Sequence, residues 1–230
     1  MSRADGSILG LEHGKIGDRI AVVLNGKQIY KKLYKPTNPQ TPKQQQHRAK
    51  IAFVNKLAAV LKEAVNLGYA KIPKSGSMQS PRNAFVHENF HNGAIVWDEE
   101  KCEWGLVPER LKLADGPRYI GRRMSAEVHD GKLFIHCHDT GMKDSHAVKD
   151  DQLMVAVYRP EVPTMHLFYG PMREVCEESV FDLPEKDEGH NDEMHVYAWF
   201  TATAYHRSPN KAEVMLYQAS PSLYLGCFQR

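Results

Sequence analysis

Apolar positions follow three successive patterns along the chain. Residues 19–24 and 27–34 read as two short strands. Asn25-Gly26 separates them, and both residues tolerate the positive φ that a two-residue hairpin turn requires. Gly14-Lys15-Ile16-Gly17 opens the first strand, and the first dozen residues read as loosely ordered. The period then changes. Ile51, Val54, Leu57, Ala58, Leu61, Ala64 and Val65 recur at helical spacing. Thr41 is placed to cap that helix, Pro42 suits its first position, and Gln44 completes a Thr-x-x-Gln capping box. Pro39 holds Asn38 extended ahead of the cap, and Gly68 is a natural stop. The pattern predicts one helix over 42–67, long enough to project from a core. After a linker at 72–80, Ser80-Pro81 repeats the start signal and predicts a short helix over 81–91, ended by Asn92-Gly93.

Strand patterns fill the remainder, at 94–97, 102–107, 119–128, 133–137, 153–158, 165–169, 175–181, 194–203 and 224–228. Turns such as Asp130-Gly131 and a polar stretch at 182–192 separate them. Short strands at this spacing favour an all-β sandwich. In Phe134-Ile135-His136-Cys137-His138 the alternation puts Phe134, His136 and His138 on one face.

Charge changes this picture. The 230 residues carry a net charge of only +2, which does not suit a dedicated nucleic-acid binder. Residues 1–74, however, hold 14 Lys and Arg against 4 Asp and Glu, a net +10, and 75–230 hold 16 against 24, a net −8. The chain therefore divides into a basic hairpin-helix arm, 1–75, and an acidic β domain, 76–230, with a short leading helix. Such a dipole steers association, head-to-tail self-assembly included. The polar face of the long helix carries Lys43, Arg48, Lys50, Lys56 and Lys62 against Glu63. It reads as a solvated face, or as a surface for an acidic partner, with no aromatic interleaved to stack a base.

No signal-peptide pattern follows Met1 and no apolar run approaches a membrane span, so a cytoplasmic protein without membrane contact is expected. Cys102, Cys137, Cys176 and Cys227 are widely spaced and are expected to be buried free thiols rather than a disulfide framework or zinc ribbon.

His87-Glu88-Asn89-Phe90-His91 matches His-Glu-x-x-His. On a helix this spacing puts both imidazoles on one face, able to hold zinc, with Glu88 as general base. Against it stand the early helix end at Asn92-Gly93, the missing Gly-x-x-His continuation, and the lack of a third ligand on a following helix. His136 and His138, near His129, offer two imidazoles from a strand face, which is short of a structural zinc site. The pairs Asp150-Asp151 and Glu177-Glu178 lack calcium-loop spacing. Phosphate-binding loops, dinucleotide fingerprints and nucleophile elbows are absent from the sequence. No cofactor is expected.

Gly14-Lys15-Ile16-Gly17, the Asn25-Gly26 hairpin, Asn38-Pro39-Gln40-Thr41-Pro42-x-x-Gln45 and Arg48 resemble the N-terminal signature of an uncharacterised bacterial family. They are also similar to stretches of phage-type structural proteins. Ser220-Pro221-Ser222-Leu223-Tyr224-Leu225-Gly226 resembles that family's C-terminal strand. Residues 151–158 and 196–200 resemble its central strands, while His138 stands where a strand tryptophan is expected. The resemblance implies an Ig-like or fibronectin-like antiparallel β-sandwich behind a basic hairpin-helix arm, in a mainly β, α+β fold. It also implies a structural or assembly role, with no catalytic residues to carry over.

The sequence therefore favours a non-enzymatic interaction protein whose arm docks on an acidic partner or a neighbouring subunit through Lys31, Lys32, Lys35, Arg48 and Lys50. Two alternatives stand beside it. One is a zinc hydrolase using His87, Glu88 and His91, and the other is nucleic-acid binding by the arm.

Overall fold

The computed structural model describes residues 2–4, 12–24, 26–33, 40–69, 80–116, 118–121, 123–138, 147–185, 193–208 and 211–229, with only the backbone for 2–4 and 202–218. The chain is mainly β and forms two compact units, 1–44 and 45–230. The charge boundary near residue 75 lies outside the described residues.

The first unit holds an antiparallel sheet of four strands: β1 (Ser2–Ala4), β2 (Gly14–Ile16), β3 (Arg19–Leu24) and β4 (Lys27–Lys32), in the order β1-β4-β3-β2. The predicted hairpin forms, with Leu24 paired to Lys27 across a two-residue turn in which Gly26 has φ +75°. Asn25 lies outside the described residues. The N-terminal residues expected to be loose contribute β1, which pairs with β4.

Helix α1 (Pro42–Val60) starts where the capping signals put it, and Thr41 Oγ1 accepts from the Gln44 N–H at 3.4 Å. Asn38 and Pro39 lie outside the described residues. The predicted single helix is interrupted at Leu61, whose φ and ψ of −89° and 16° leave the helical range before α2 (Lys62–Gly68). The hydrogen-bond ladder survives the break, through Leu61 N–H to Leu57 O and Val65 N–H to Leu61 O. Residues 41–49 are exposed, and burial begins at Val54. Ile51, expected on the apolar face, is 38% exposed. Helix α3 (Pro81–His91) begins at the predicted cap, with Ser80 Oγ accepting from the Asn83 N–H, and ends at Asn92.

The second unit has three layers. Its centre is a five-stranded antiparallel sheet of β9 (Gln152–Arg159), β10 (Thr164–Met172), β12 (Glu193–Ser208), β13 (Lys211–Ala219) and β14 (Leu223–Gln229). Strand β12 pairs with β9 and β14 over its first half and with β13 over its second. One face of this sheet meets a three-stranded sheet of β7 (Met124–His129), β8 (Lys132–Cys137) and β11 (Glu178–Asp182). Leu133, Ile135, Leu153, Val155, Val196 and Phe200 fill the space between the two sheets. The other face carries Met154, Ala156, Tyr197 and Trp199, which pack with Val54, Leu61, Val65 and Phe85 of the helices. Apolar residues on both faces explain why β9 and β12 read as near-continuous apolar runs rather than alternating ones. In β8, covered on one side, Leu133, Ile135 and Cys137 point inward while Phe134 and His136 are only half-buried. The β7–β8 hairpin turns through Asp130 and Gly131, both at positive φ as the sequence signal requires.

A small ribbon of β5 (Ile95–Asp98) and β6 (Glu103–Leu106) follows α3. Short 3-10 turns occur at Pro108–Arg110 and Arg173–Val175, the latter where a strand was expected to begin. The cysteine expectation is half corrected: Cys137 and Cys176 are buried with sulfurs 2.8 Å apart, but Cys102 and Cys227 are exposed. Among the described residues no helix is long and apolar enough to cross a membrane.

Candidate functional site

The helix α3 places His87 and His91 one turn apart, with ring centroids separated by 5.4 Å and both residues exposed. Glu88 turns instead to Lys112, whose Nζ lies 2.6 Å from Glu88 Oε1. Asn89, between the two motif ends, is buried and bonds to the Lys112 backbone. The central residues of the motif thus hold the segment after Arg110 against the helix. Likewise His136 and His138 stack, with centroids 6.2 Å apart.

The basic candidates are dispersed. Lys31 and Lys32 are adjacent and exposed on β4, so they point to opposite faces of the sheet. Lys35 lies outside the described residues. Arg48 is exposed on α1. Lys50 is half-buried rather than solvated, because its Nζ donates to Phe90 O at 2.8 Å and sits 4.3 Å and 5.2 Å from the Phe90 and Trp104 rings. Burial lowers its pKa. The cation packs α1 against α3 and β6.

Register defines the two faces of the N-terminal sheet. Glu12 covers one face, exchanging backbone bonds with the Gln28 side chain and accepting from Tyr30 Oη at 2.6 Å. The opposite face presents Ile20, Val22, Leu24 and Ile29, with Lys15, Lys27 and Lys31 around them. None of these four apolar side chains is buried, and Leu24 is 58% exposed. Among the described residues of the unit, only Ala21 and Gln28 are buried.

A third cluster went unnoticed in the sequence. On β12, Met194, Val196 and Ala198 face the three-stranded sheet, so His195 and Tyr197 face the helical side. His195 pairs with Tyr158 of β9 and with Cys227 of β14. Strand β14 carries a bulge: Val196 opposes Gly226, but Tyr197 opposes Tyr224. Gly226 takes φ +138°, a conformation that favours glycine. The extra residue puts Tyr224 and Cys227, three apart in sequence, on the same face.

The result is a compact polar group. His195 Nε2 lies 3.0 Å from Glu193 Oε1, and His195 Nδ1 lies 3.1 Å from Tyr224 Oη. The ligand atoms of Glu193, His195 and Cys227 all fall within 4.8 Å of one another, the one such trio among the described residues. His195 is 4% exposed, whereas Cys227 is open to solvent. Burial lowers the His195 pKa against the pull of Glu193, which favours the neutral ring. Burial, then Glu193 and Glu109, push the Cys227 thiol up. Tyr224 is pushed up to about 12, by burial first and then by Cys227, Glu109 and Glu193. Both imidazole nitrogens have partners and the thiol is held protonated, which does not suit a cysteine nucleophile with a histidine base. The donor set of thiol, imidazole and carboxylate suits a metal of zinc character. Tyr224 also borders a cavity of about 470 Å³, lined further by Glu109, Arg110, Lys112 and Ser222.

The signal for this cluster was Glu193-x-His195, which a strand puts on one face. Its third member comes from β14, whose pairing with β12 no local signal announces. No protein-family model, curated protein or solved structure matches the chain.

Proposed function

We propose that this chain is a non-enzymatic, self-assembling structural module, of the kind a phage-like assembly uses. In this reading its N-terminal sheet docks on the acidic domain of a second copy. The observation that carries the reading is the face of Ile20, Val22, Leu24 and Ile29 ringed by Lys15, Lys27 and Lys31. A sheet whose own unit buries so little apolar surface gains stability by covering such a face. Charge selects the occupant, since residues 75–230 of a second copy carry a net −8. The resemblance of the Asn38-to-Arg48 stretch to phage-type structural proteins points the same way. Two facing antiparallel sheets support an Ig-like or fibronectin-like relationship for the body, with the helical layer as an addition to it.

Sedimentation of the full chain at low and high salt tests the reading. The wild type is expected to associate at low salt and to dissociate as salt screens the contact. Leu24→Glu, which puts a like charge into the acidic contact, is expected to remain monomeric at both. A wild-type chain that stays monomeric at high concentration and low salt would overturn the reading. So would association that Leu24→Glu leaves unchanged.

A further inference from the structure

The geometry points to a site for a zinc-class divalent cation. We propose that Glu193 Oε1, His195 Nε2 and Cys227 Sγ are its ligands, that Tyr224 Oη supports the imidazole, and that the fourth position is left to solvent.

The spacing of the donors is close to what the ion needs. Ligand atoms about 2.0–2.1 Å from a tetrahedral zinc stand roughly 3.3 Å apart. Glu193 Oε1 and His195 Nε2 are 3.0 Å apart, so a few tenths of an ångström admit the ion between them. Cys227 Sγ lies within 4.8 Å of both, on an exposed residue. Each ligand sits on a strand of the central sheet, so the backbone geometry is fixed by ladder hydrogen bonds rather than by a loop.

The support around the imidazole is that of a metal ligand. A histidine that binds through Nε2 donates from Nδ1 to an oxygen that orients the ring. Tyr224 Oη stands at Nδ1. In the metal-free chain the same ring donates from Nε2 to Glu193 and accepts from Tyr224. Binding moves the ring proton from Nε2 to Nδ1, so the ion replaces the first of these bonds and Nδ1 then donates to Tyr224 Oη. The thiol proton of Cys227 leaves to bulk solvent as the sulfur takes the metal.

The bulge is the independent observation. Without the extra residue in β14, Tyr224 and Cys227 would point to opposite faces, and the imidazole could not have both the sulfur and the hydroxyl beside it. Bulges recur where a side chain must be re-aimed near a functional site.

The test titrates the chelator-stripped full chain with Co²⁺ alone and then displaces it with Zn²⁺ alone. One equivalent of Co²⁺ is expected to give the near-ultraviolet thiolate-to-cobalt charge-transfer band. Cys227→Ser is expected to abolish that band, and His195→Gln to abolish tight binding. Tyr224→Phe is expected to keep the band while weakening affinity about 10-fold, as loss of an outer hydrogen bond does. Cys227 is exposed and Tyr224→Phe preserves shape, so both variants report on a folded chain. Cys102→Ser and the pair His87→Ala with His91→Ala are expected to leave the band unchanged. Absence of the band in the wild type would overturn the proposal, as would a band that survives in Cys227→Ser or follows Cys102.

Discussion

Asn89 holds Lys112 as a second backbone would: its Nδ2 donates to the Lys112 carbonyl at 2.9 Å and its Oδ1 accepts from the Lys112 N–H at 2.8 Å. The same amide also donates to Phe85 O. Asn89 is fully buried, so replacing it with leucine leaves the Lys112 N–H without its partner in the interior. The Lys112 carbonyl keeps the Tyr69 hydroxyl. A cost of about 3 kcal/mol is expected for Asn89→Leu, the sum of lost bonds and one stranded donor. Glu88→Gln removes only the half-exposed ion pair to Lys112 Nζ and should cost under about 1 kcal/mol. Urea unfolding of the two variants checks this ordering, and equal costs would contradict it.

Asp151 and Arg173 form an ion pair in which neither side chain is exposed. Arg173 also donates to Tyr119 O and lies 3.7 Å over the Phe200 ring, while Asp151 Oδ2 accepts from the Val148 N–H. Burial lowers the Arg173 pKa and the Asp151 charge opposes that shift. Asp151→Asn leaves the guanidinium buried against a neutral amide, so a loss of about 3–5 kcal/mol is expected. Adding Arg173→Met should recover part of it, because the fully buried cation beside Asp151 is then gone and only the partly exposed Arg118, 3.9 Å from Asp151 Oδ1, is left without its carboxylate. A double variant less stable than Asp151→Asn alone would show that the pair is not the source of the effect.

Local chemistry made some of this fold readable. Thr41-Pro42, Ser80-Pro81 and Asp130-Gly131 act within a few residues, and all three predicted the elements they begin or join. What depends on distant partners was not readable. In Lys211–Ala219 only Val214 and Tyr217 favour a strand, yet its pairing with β12 makes it one. The break at Leu61 carries no glycine or proline to announce it. Lys50 looked solvated because its aromatic neighbours Phe90 and Trp104 come from elements far along the chain. Likewise Cys227 looked like an ordinary buried thiol until register placed it opposite His195.

Gly68 ends α2 as expected, but its need for glycine is a matter of space. A Cβ there would lie 2.2 Å from Leu113 O and 2.7 Å from the Ala114 Cα. The neighbour is backbone, tied by the Asp115 N–H to Gly68 O bond at 3.1 Å, so it cannot swing aside. Gly68→Ala is therefore expected to destabilise by about 1–3 kcal/mol despite the better helix propensity of alanine. Thermal unfolding of the variant checks it, and a raised Tm would mean that the packed segment gives way easily.

Tyr69 makes stability depend on alkaline pH. Its ring packs edge-on against Phe85 at 6.0 Å and its hydroxyl donates to Lys112 O at 3.0 Å. Burial holds its pKa well above the ordinary value of 10.0, and the carboxylates of Asp115 and Glu88 push it further in the same direction, against a lowering by the Asn89 side chain. The folded state keeps the proton that the unfolded chain releases near pH 10. The contribution of Tyr69 is therefore complete below about pH 10 and declines above it, by about 1.4 kcal/mol per pH unit. Tyr69→Phe loses the hydroxyl bond, at a cost of about 1 kcal/mol at neutral pH. It also removes one titrating group, so its stability should fall less steeply above pH 10 than that of the wild type. Buried Tyr158 and Tyr197 keep a residual slope of the same sign in the variant. Denaturant midpoints measured from pH 8 to 11 check this, and parallel curves for the two proteins would show that the Tyr69 hydroxyl does not stay protonated in the folded state.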